Sequence, residues 1–190
     1  MPFLIFGYSR SGKTTVFKYL TEQGIICADT SQYIDQACAQ LTLSLFPHFP
    51  HTAEQITSAL QEKNDEFFYD LFNLSARNFK VFIAESVIVH LVGRYNGIVK
   101  PCLSQFTSPP DVVFTIGGLE ADQIRLWYAR QNLELTHIVL RSLTEENDST
   151  RALCSNGLII ENNSTKEALY QKLDEIIITP TKQQSNDQPN

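Results

Sequence analysis

The sequence predicts an α/β layer fold built on a mostly parallel sheet. Short apolar runs alternate with stretches of helical periodicity from one end of the chain to the other. Hydrophobic residues make up 43% and aromatic residues 11% of 190 residues, enough for a substantial core. A glycine-containing turn, Gly7 to Gly12, joins the first apolar run to the first helical stretch.

Phe3-Leu4-Ile5-Phe6 reads as a short buried strand. Residues 13–22 read as a helix, with Val16, Phe17 and Leu20 apolar and Gly24 as its stop. Residues 25–28 form a second strand. Asp29 to Leu45 is helical, with Ile34, Ala37, Cys38, Leu41 and Leu45 recurring at helical spacing. Pro47 and Pro50 break that helix. Thr52 and Gln55 make a capping box for a helix or helix pair over 53–77, with Ile56, Leu60, Phe67, Leu71 and Leu74 on its apolar face. Lys80 to Ser86 reads as a third strand. Residues 87–97 read as helical, followed by a looser stretch with Pro101, Pro109 and Pro110.

Residues 111–116 read as a fourth strand, 120–131 as a helix and 136–142 as a fifth strand. A polar segment follows. Residues 158–162 read as a sixth strand, and Ser164 with Glu167 makes a capping box for a helix to about Ile177. The final polar residues are expected to be unstructured.

The formal net charge of −6 argues against nucleic acid or an acidic membrane as a partner. The four cysteines, at 27, 38, 102 and 154, lack Cys-x-x-Cys spacing and read as reduced thiols of a cytoplasmic protein. The first apolar run is too short for a signal peptide or a membrane span.

Gly7-x-x-x-x-Gly12-Lys13-Thr14 is a complete P-loop pattern, and it lies between a predicted strand and a predicted helix. Average residue frequencies would produce its four fixed positions in a chain of this length roughly one time in a hundred. The chemistry explains the residue types. The glycines free the backbone to turn its N–H groups inward, and the following helix adds its positive end. Lys13 reaches the β- and γ-phosphates, and the Thr14 hydroxyl is placed to ligate Mg²⁺. Gly7, Ser9, Arg10, Ser11, Gly12, Lys13, Thr14 and Thr15 are therefore the expected contacts to ATP phosphates, with Mg²⁺ at Thr14. Guanine-reading Asn-Lys-x-Asp and an Asp-x-x-Gly switch are both missing, which excludes an ordinary GTPase. The chain is also short for a translocating ATPase.

The strand-end residues Asp29 and Glu85 and the segment Gly117–Glu120 should share one cleft with the loop. A P-loop near the start, helical sequence after strand two and a polar segment after strand five together resemble a nucleoside monophosphate kinase, and in particular the deoxynucleoside monophosphate kinases of bacteriophages. Ser11-Gly12-Lys13, Ala28-Asp29, Glu120 opening a helix, Arg141 ending a strand and Ile160-Glu161-Asn162 carry the resemblance. Dephospho-coenzyme A kinases are the runner-up, through Asp29 and the strand–Gln–Arg pattern over residues 111–130.

The resemblance implies a three-layer P-loop kinase fold over residues 1–180 with a five- or six-stranded sheet. Residues 30–80 would be the helical acceptor-binding region, 142–156 a short lid excluding water, and 181–190 a disordered tail. It implies ATP and Mg²⁺ as cofactors, small nucleotides as partners, and transfer to a (deoxy)nucleoside monophosphate; a homodimer is allowed. The phage kinases place an Asp and an Arg shortly before the residue matched by Glu120. That place here reads Phe114-Thr115-Ile116-Gly117-Gly118, so a nucleotide-binding protein with little catalysis is the alternative.

Lys13, Asp29 and Arg141 are the expected catalytic residues. Asp29, Tyr33, Arg77, Glu85 and Arg94 are the acceptor-side candidates, with Glu85 standing where a Walker-B Asp is usual. Arg141 and Arg151 are the lid cations, and Asn162 and Asn163 lie on the adenine side. Asp29 with Gln32 also reads as a helix cap, and Arg125 and Arg130 as solvated helix residues. Phe67, Phe68, Tyr69 and Phe72 read as core at helical spacing.

Overall fold

Five short strands form one all-parallel sheet in the order β2-β3-β1-β4-β5. They are β1 (Phe3–Phe6), β2 (Cys27–Asp29), β3 (Val112–Thr115), β4 (Thr136–Arg141) and β5 (Leu158–Glu161). The structure is a computed structural model that describes residues 1–7, 11–115, 118–141 and 157–186. The expected lid at 142–156, with Arg151 and Cys154, and the loop residues Ser9 and Arg10 lie outside the described residues.

Alternation along the strands builds two apolar faces. Phe3, Ile5, Val112, Phe114, Ile138, Leu140 and Ile160 pack on one face against Val16 and Leu20 of α1 (Lys13–Glu22) and Leu169 and Leu173 of α9 (Lys166–Leu173). Tyr19 of α1 stacks on Tyr170 of α9 at 3.9 Å between ring centroids and donates its hydroxyl to Asp174 at 2.6 Å. Helix α8 (Gly118–Ala129) buries Ala121, Ile124 and Tyr128 outside that cluster. Parallel crossovers are right-handed. The chain moves from β1 to β2 in one direction and from β3 to β4 in the other, so α1 and α8 cover opposite faces. Adjacent strands β1 and β3 thus send their helices apart, which opens a crevice at their carboxyl ends.

By contacts the chain divides into two compact units, Met1–Asp29 with Leu103–Asn190, and Thr30–Cys102. The second is wholly helical among the described residues: α2 (Thr30–Leu45), α3 (Ala53–Glu62), α4 (Asp65–Phe72), α5 (Ala76–Val81), a π-helical stretch (Phe82–Val89), α6 (His90–Arg94), a second π-helical stretch (Tyr95–Val99) and α7 (Lys100–Leu103), which runs into the first unit. Its core gathers Ile34, Cys38, Ile56, Leu60, Phe68, Phe79 and Ile83. Phe68 is fully buried, with its ring centroid 4.8 Å from that of Phe79, whereas Tyr69 is exposed. The helical insertion is therefore longer than the expected 30–80.

Four expectations are corrected. Residues 80–86 are not a strand. They continue α5 into the π-helical stretch, because Phe79 and Ile83 bury at helical spacing and a short apolar run reads equally as strand or helix. Glu85 therefore sits on a helix in the second unit, not at a strand end, and the sheet has five strands. The last long helix is capped by Thr165, whose hydroxyl accepts from the Ala168 N–H, and not by Ser164. The polar end is helical through Asn186 as α10 (Thr179–Asn186). The Thr52–Gln55 box forms as expected, with both reciprocal hydrogen bonds present.

Burial pushes the Cys27 and Cys38 thiol pKa values up to about 12. Among the described residues no helix is long and apolar enough to cross a membrane.

Candidate functional site

Gly7 follows the last residue of β1, the strand at the centre of the sheet. Helix α1 then begins at Lys13 behind Gly12, whose φ of 95° lies in the left-handed region that glycine enters without strain. Among the described residues no side chain caps this helix, whose first N–H groups carry the positive end of its dipole. Gly7 is also required by close approach. A Cβ there would lie 2.4 Å from the Ser11 hydroxyl oxygen and 3.0 Å from the Leu140 carbonyl oxygen.

The Lys13 side chain folds back over the loop and donates from Nζ to the Gly7 carbonyl. Its ammonium therefore sits across the turn that the motif assigns to a polyphosphate. Burial pulls Lys13 down to about 8, while the Asp29 carboxylate works in the opposite direction. Asp29 ends β2 in register with Phe114, so it stands at the same carboxyl edge as Thr115, which ends β3. Thr115 donates its hydroxyl to Glu120 Oε2 at 2.7 Å, and both residues are buried. Glu120, in the first turn of α8, is thereby tied to the end of β3, the strand next to β1, and takes the strand-end acidic place expected of Glu85. Sequence alone could not show that this pair lies beside β1, since the order of strands is not legible from it.

Ser11 is only 3% exposed, and its hydroxyl oxygen has no hydrogen-bond partner among the described residues. Its main-chain carbonyl is engaged instead, by the Asn162 side chain at 3.0 Å. Thr14 is exposed and Thr15 half-buried at the start of α1. Asn163 is exposed beside Asn162. Arg141 is the last residue of β4, paired with Glu161 of β5; its side chain lies outside the described set. An unpaired buried hydroxyl is a net cost to the fold. Ser11→Ala is therefore expected to raise unfolding stability by up to about 1 kcal/mol, measured by denaturant titration. A loss of stability would show that the hydroxyl is partnered.

In the helical unit, Arg94 donates to both carboxylate oxygens of Glu85, at 2.8 and 2.6 Å. Two acceptor-side candidates thus engage each other. Arg77 is exposed on α5, and Tyr33 is half-buried against the helical core, where burial raises its hydroxyl pKa. The geometry therefore brings Gly7, Ser11, Gly12, Lys13, Asp29 and Asn162 to one edge of the sheet. Tyr33, Arg77, Glu85 and Arg94 belong to the other unit. Arg125 pairs with Asp122 on the exposed side of α8, as expected of a solvated residue, and Arg130 is exposed.

Phosphate fits these residues on two observations: Gly12 holds the left-handed φ of 95° that lets the turn face its N–H groups inward, and the buried Ser11 hydroxyl has no partner among the described residues. Among the described residues no three His, Cys, Asp or Glu side chains gather into a metal cage. A phosphate-bound Mg²⁺ needs only one or two protein oxygens, and Thr14 at the start of α1 and Asp29 at the end of β2 carry such oxygens.

No family model matches the chain, and no curated protein does. Among solved structures, the crystal structure of TT1252 from Thermus thermophilus aligns over 94% of this chain and 97% of that one, at 15% identity and a TM-score of 0.44. The functional reading accordingly stands on this chain's own residues.

Proposed function

We propose that the protein is a phosphotransferase that uses Mg²⁺-ATP to phosphorylate a (deoxy)nucleoside monophosphate, giving the diphosphate and ADP. The observation that carries this is the Lys13 ammonium folded over a glycine-framed loop at the carboxyl end of the central strand. Backbone N–H groups of the loop and the start of α1 hold the anionic tail, and Lys13 leaves the Gly7 carbonyl for a phosphate oxygen. The Thr14 hydroxyl would hold Mg²⁺, which would supply charge neutralisation to the polyphosphate. Asp29 orients the acceptor's phosphate, whose oxygen attacks the γ-phosphorus as ADP leaves, at the mouth of the crevice. Arg141 supplies positive charge to the phosphoryl group in transfer. Such a protein acts in the cytoplasm, of the host cell if phage-encoded.

Incubation with Mg²⁺-ATP and a panel of nucleoside monophosphates, with dephospho-coenzyme A included, should yield one phosphorylated product on chromatography. If no acceptor is converted at high enzyme concentration, the kinase reading is lost. The second reading, ATP binding with little turnover, is favoured by the engagement of Arg94 with Glu85. Calorimetric ATP binding that no acceptor alters would select it.

The pH dependence of binding follows from Lys13. Its folded-state pKa of about 8 lies below the ordinary 10.5, so the ligand-free fold gains stability as pH rises from 8 towards 10.5. A polyphosphate favours the protonated ammonium and draws that pKa back up. ATP affinity should therefore fall as pH rises above about 8, and binding at pH 9 should take up a proton. Calorimetry at pH 9 in buffers of different ionisation enthalpy measures this; proton release would contradict it.

A further inference from the structure

We propose that Asn162 is a positioning residue for the triphosphate, acting through the Ser11–Gly12 peptide; this rests on the reading of the loop as a phosphate cradle. Glu161 is the last residue of β5, so Asn162 is the first residue beyond the sheet edge. Its amide nitrogen donates to the Ser11 carbonyl oxygen at 3.0 Å. The same nitrogen lies over Gly12, where an added Cβ would meet it at 2.3 Å.

Two consequences follow from peptide geometry. The C=O of Ser11 and the N–H of Gly12 belong to one planar trans unit and point in opposite directions. Holding the carbonyl towards β5 therefore holds the Gly12 N–H away from it. Glycine at this position, with φ of 95°, makes rotation of that peptide cheap, so a lock from outside the loop has something to prevent. A hydrogen bond accepted by the carbonyl also polarises the amide, which makes the Gly12 N–H a stronger donor to an anion. The side-chain amide suits this task because it donates. An aspartate of the same shape would set one acceptor against another.

Asn162→Asp should weaken ATP binding about tenfold, and Asn162→Ala by less, with the KM for the acceptor unchanged. A merely structural role would not move the ligand-free Gly12 amide, so its resonance and hydrogen exchange are read by NMR in both variants. The proposal expects an upfield shift of the amide proton and faster exchange. Unchanged ATP affinity together with an unchanged Gly12 amide would overturn the role of Asn162 and leave the cradle standing. Failure of the unaltered protein to bind ATP would instead remove the cradle reading, and the positioning role with it. Should the aspartate variant not fold, the alanine variant decides by the same two measurements.

Discussion

Lys13→Ala is expected to lower ATP affinity and turnover by about 30- to 1000-fold, which corresponds to roughly 2–4 kcal/mol for a charge-assisted contact in a half-buried site. The ammonium already lies across the loop on the Gly7 carbonyl, so little rearrangement separates the ligand-free position from a phosphate contact. The effect on stability should be opposite in sign and smaller. Burial disfavours the charged form, and alanine removes that burden while leaving the helix start intact. Calorimetric titration with ATP, alongside thermal unfolding, separates the two. Equal affinity in the variant and the parent would remove the phosphate site from residues 7–15.

The second large effect is on the helical unit. Lys80 reaches Asp35 Oδ1 at 2.5 Å and donates to the Ser31 hydroxyl at 2.9 Å and the Ser31 carbonyl at 3.1 Å. The Asp35 side chain is only 6% exposed. Burial raises its carboxyl pKa and Lys80 lowers it. Lys80→Ala leaves a buried carboxylate without its counter-charge, a loss of about 3 kcal/mol in unfolding stability at neutral pH. With the lysine gone, the folded pKa of Asp35 stands further above its unfolded value. The loss is then greatest at high pH and shrinks as acid protonates Asp35. A double replacement, Asp35→Asn with Lys80→Met, should recover most of it. Denaturant titrations at pH 5 and pH 8 measure both trends, and a single variant as stable as the parent would show that the pair is not needed.

Much of the first unit is legible in sequence because its signals are local. Phe3–Phe6, Val112–Thr115 and Thr136–Arg141 are apolar runs bounded by turns, and the glycines of the loop mark positions no other residue fills as easily. The misread segment, 80–86, fails for a physical reason. Val81, Phe82, Ile83 and Ala84 are apolar without a break, so periodicity within the run cannot choose a structure. Only contacts with residues such as Phe68 and Ile56 decide that it is helical. Glu120 and Asn162 are legible as residues but not as partners. The first depends on β3 lying beside β1, and the second on β5 lying near the loop, both set by tertiary pairing. Thr165 rather than Ser164 is the cap, and the local rule alone admits either hydroxyl.

The central place of β1 has a consequence for biosynthesis. Its neighbours are Val112–Thr115 and Thr136–Val139, so this strand has neither of its sheet partners until translation has passed Val112. At about 5–20 residues per second that wait lasts several seconds or longer. During it, residues 30–102 emerge with their own core of mostly short-range helical contacts, which form quickly. Nascent Phe3-Leu4-Ile5-Phe6 is meanwhile an apolar segment with unsatisfied amides, and the stage at which a chaperone would find it lies before the third strand leaves the ribosome.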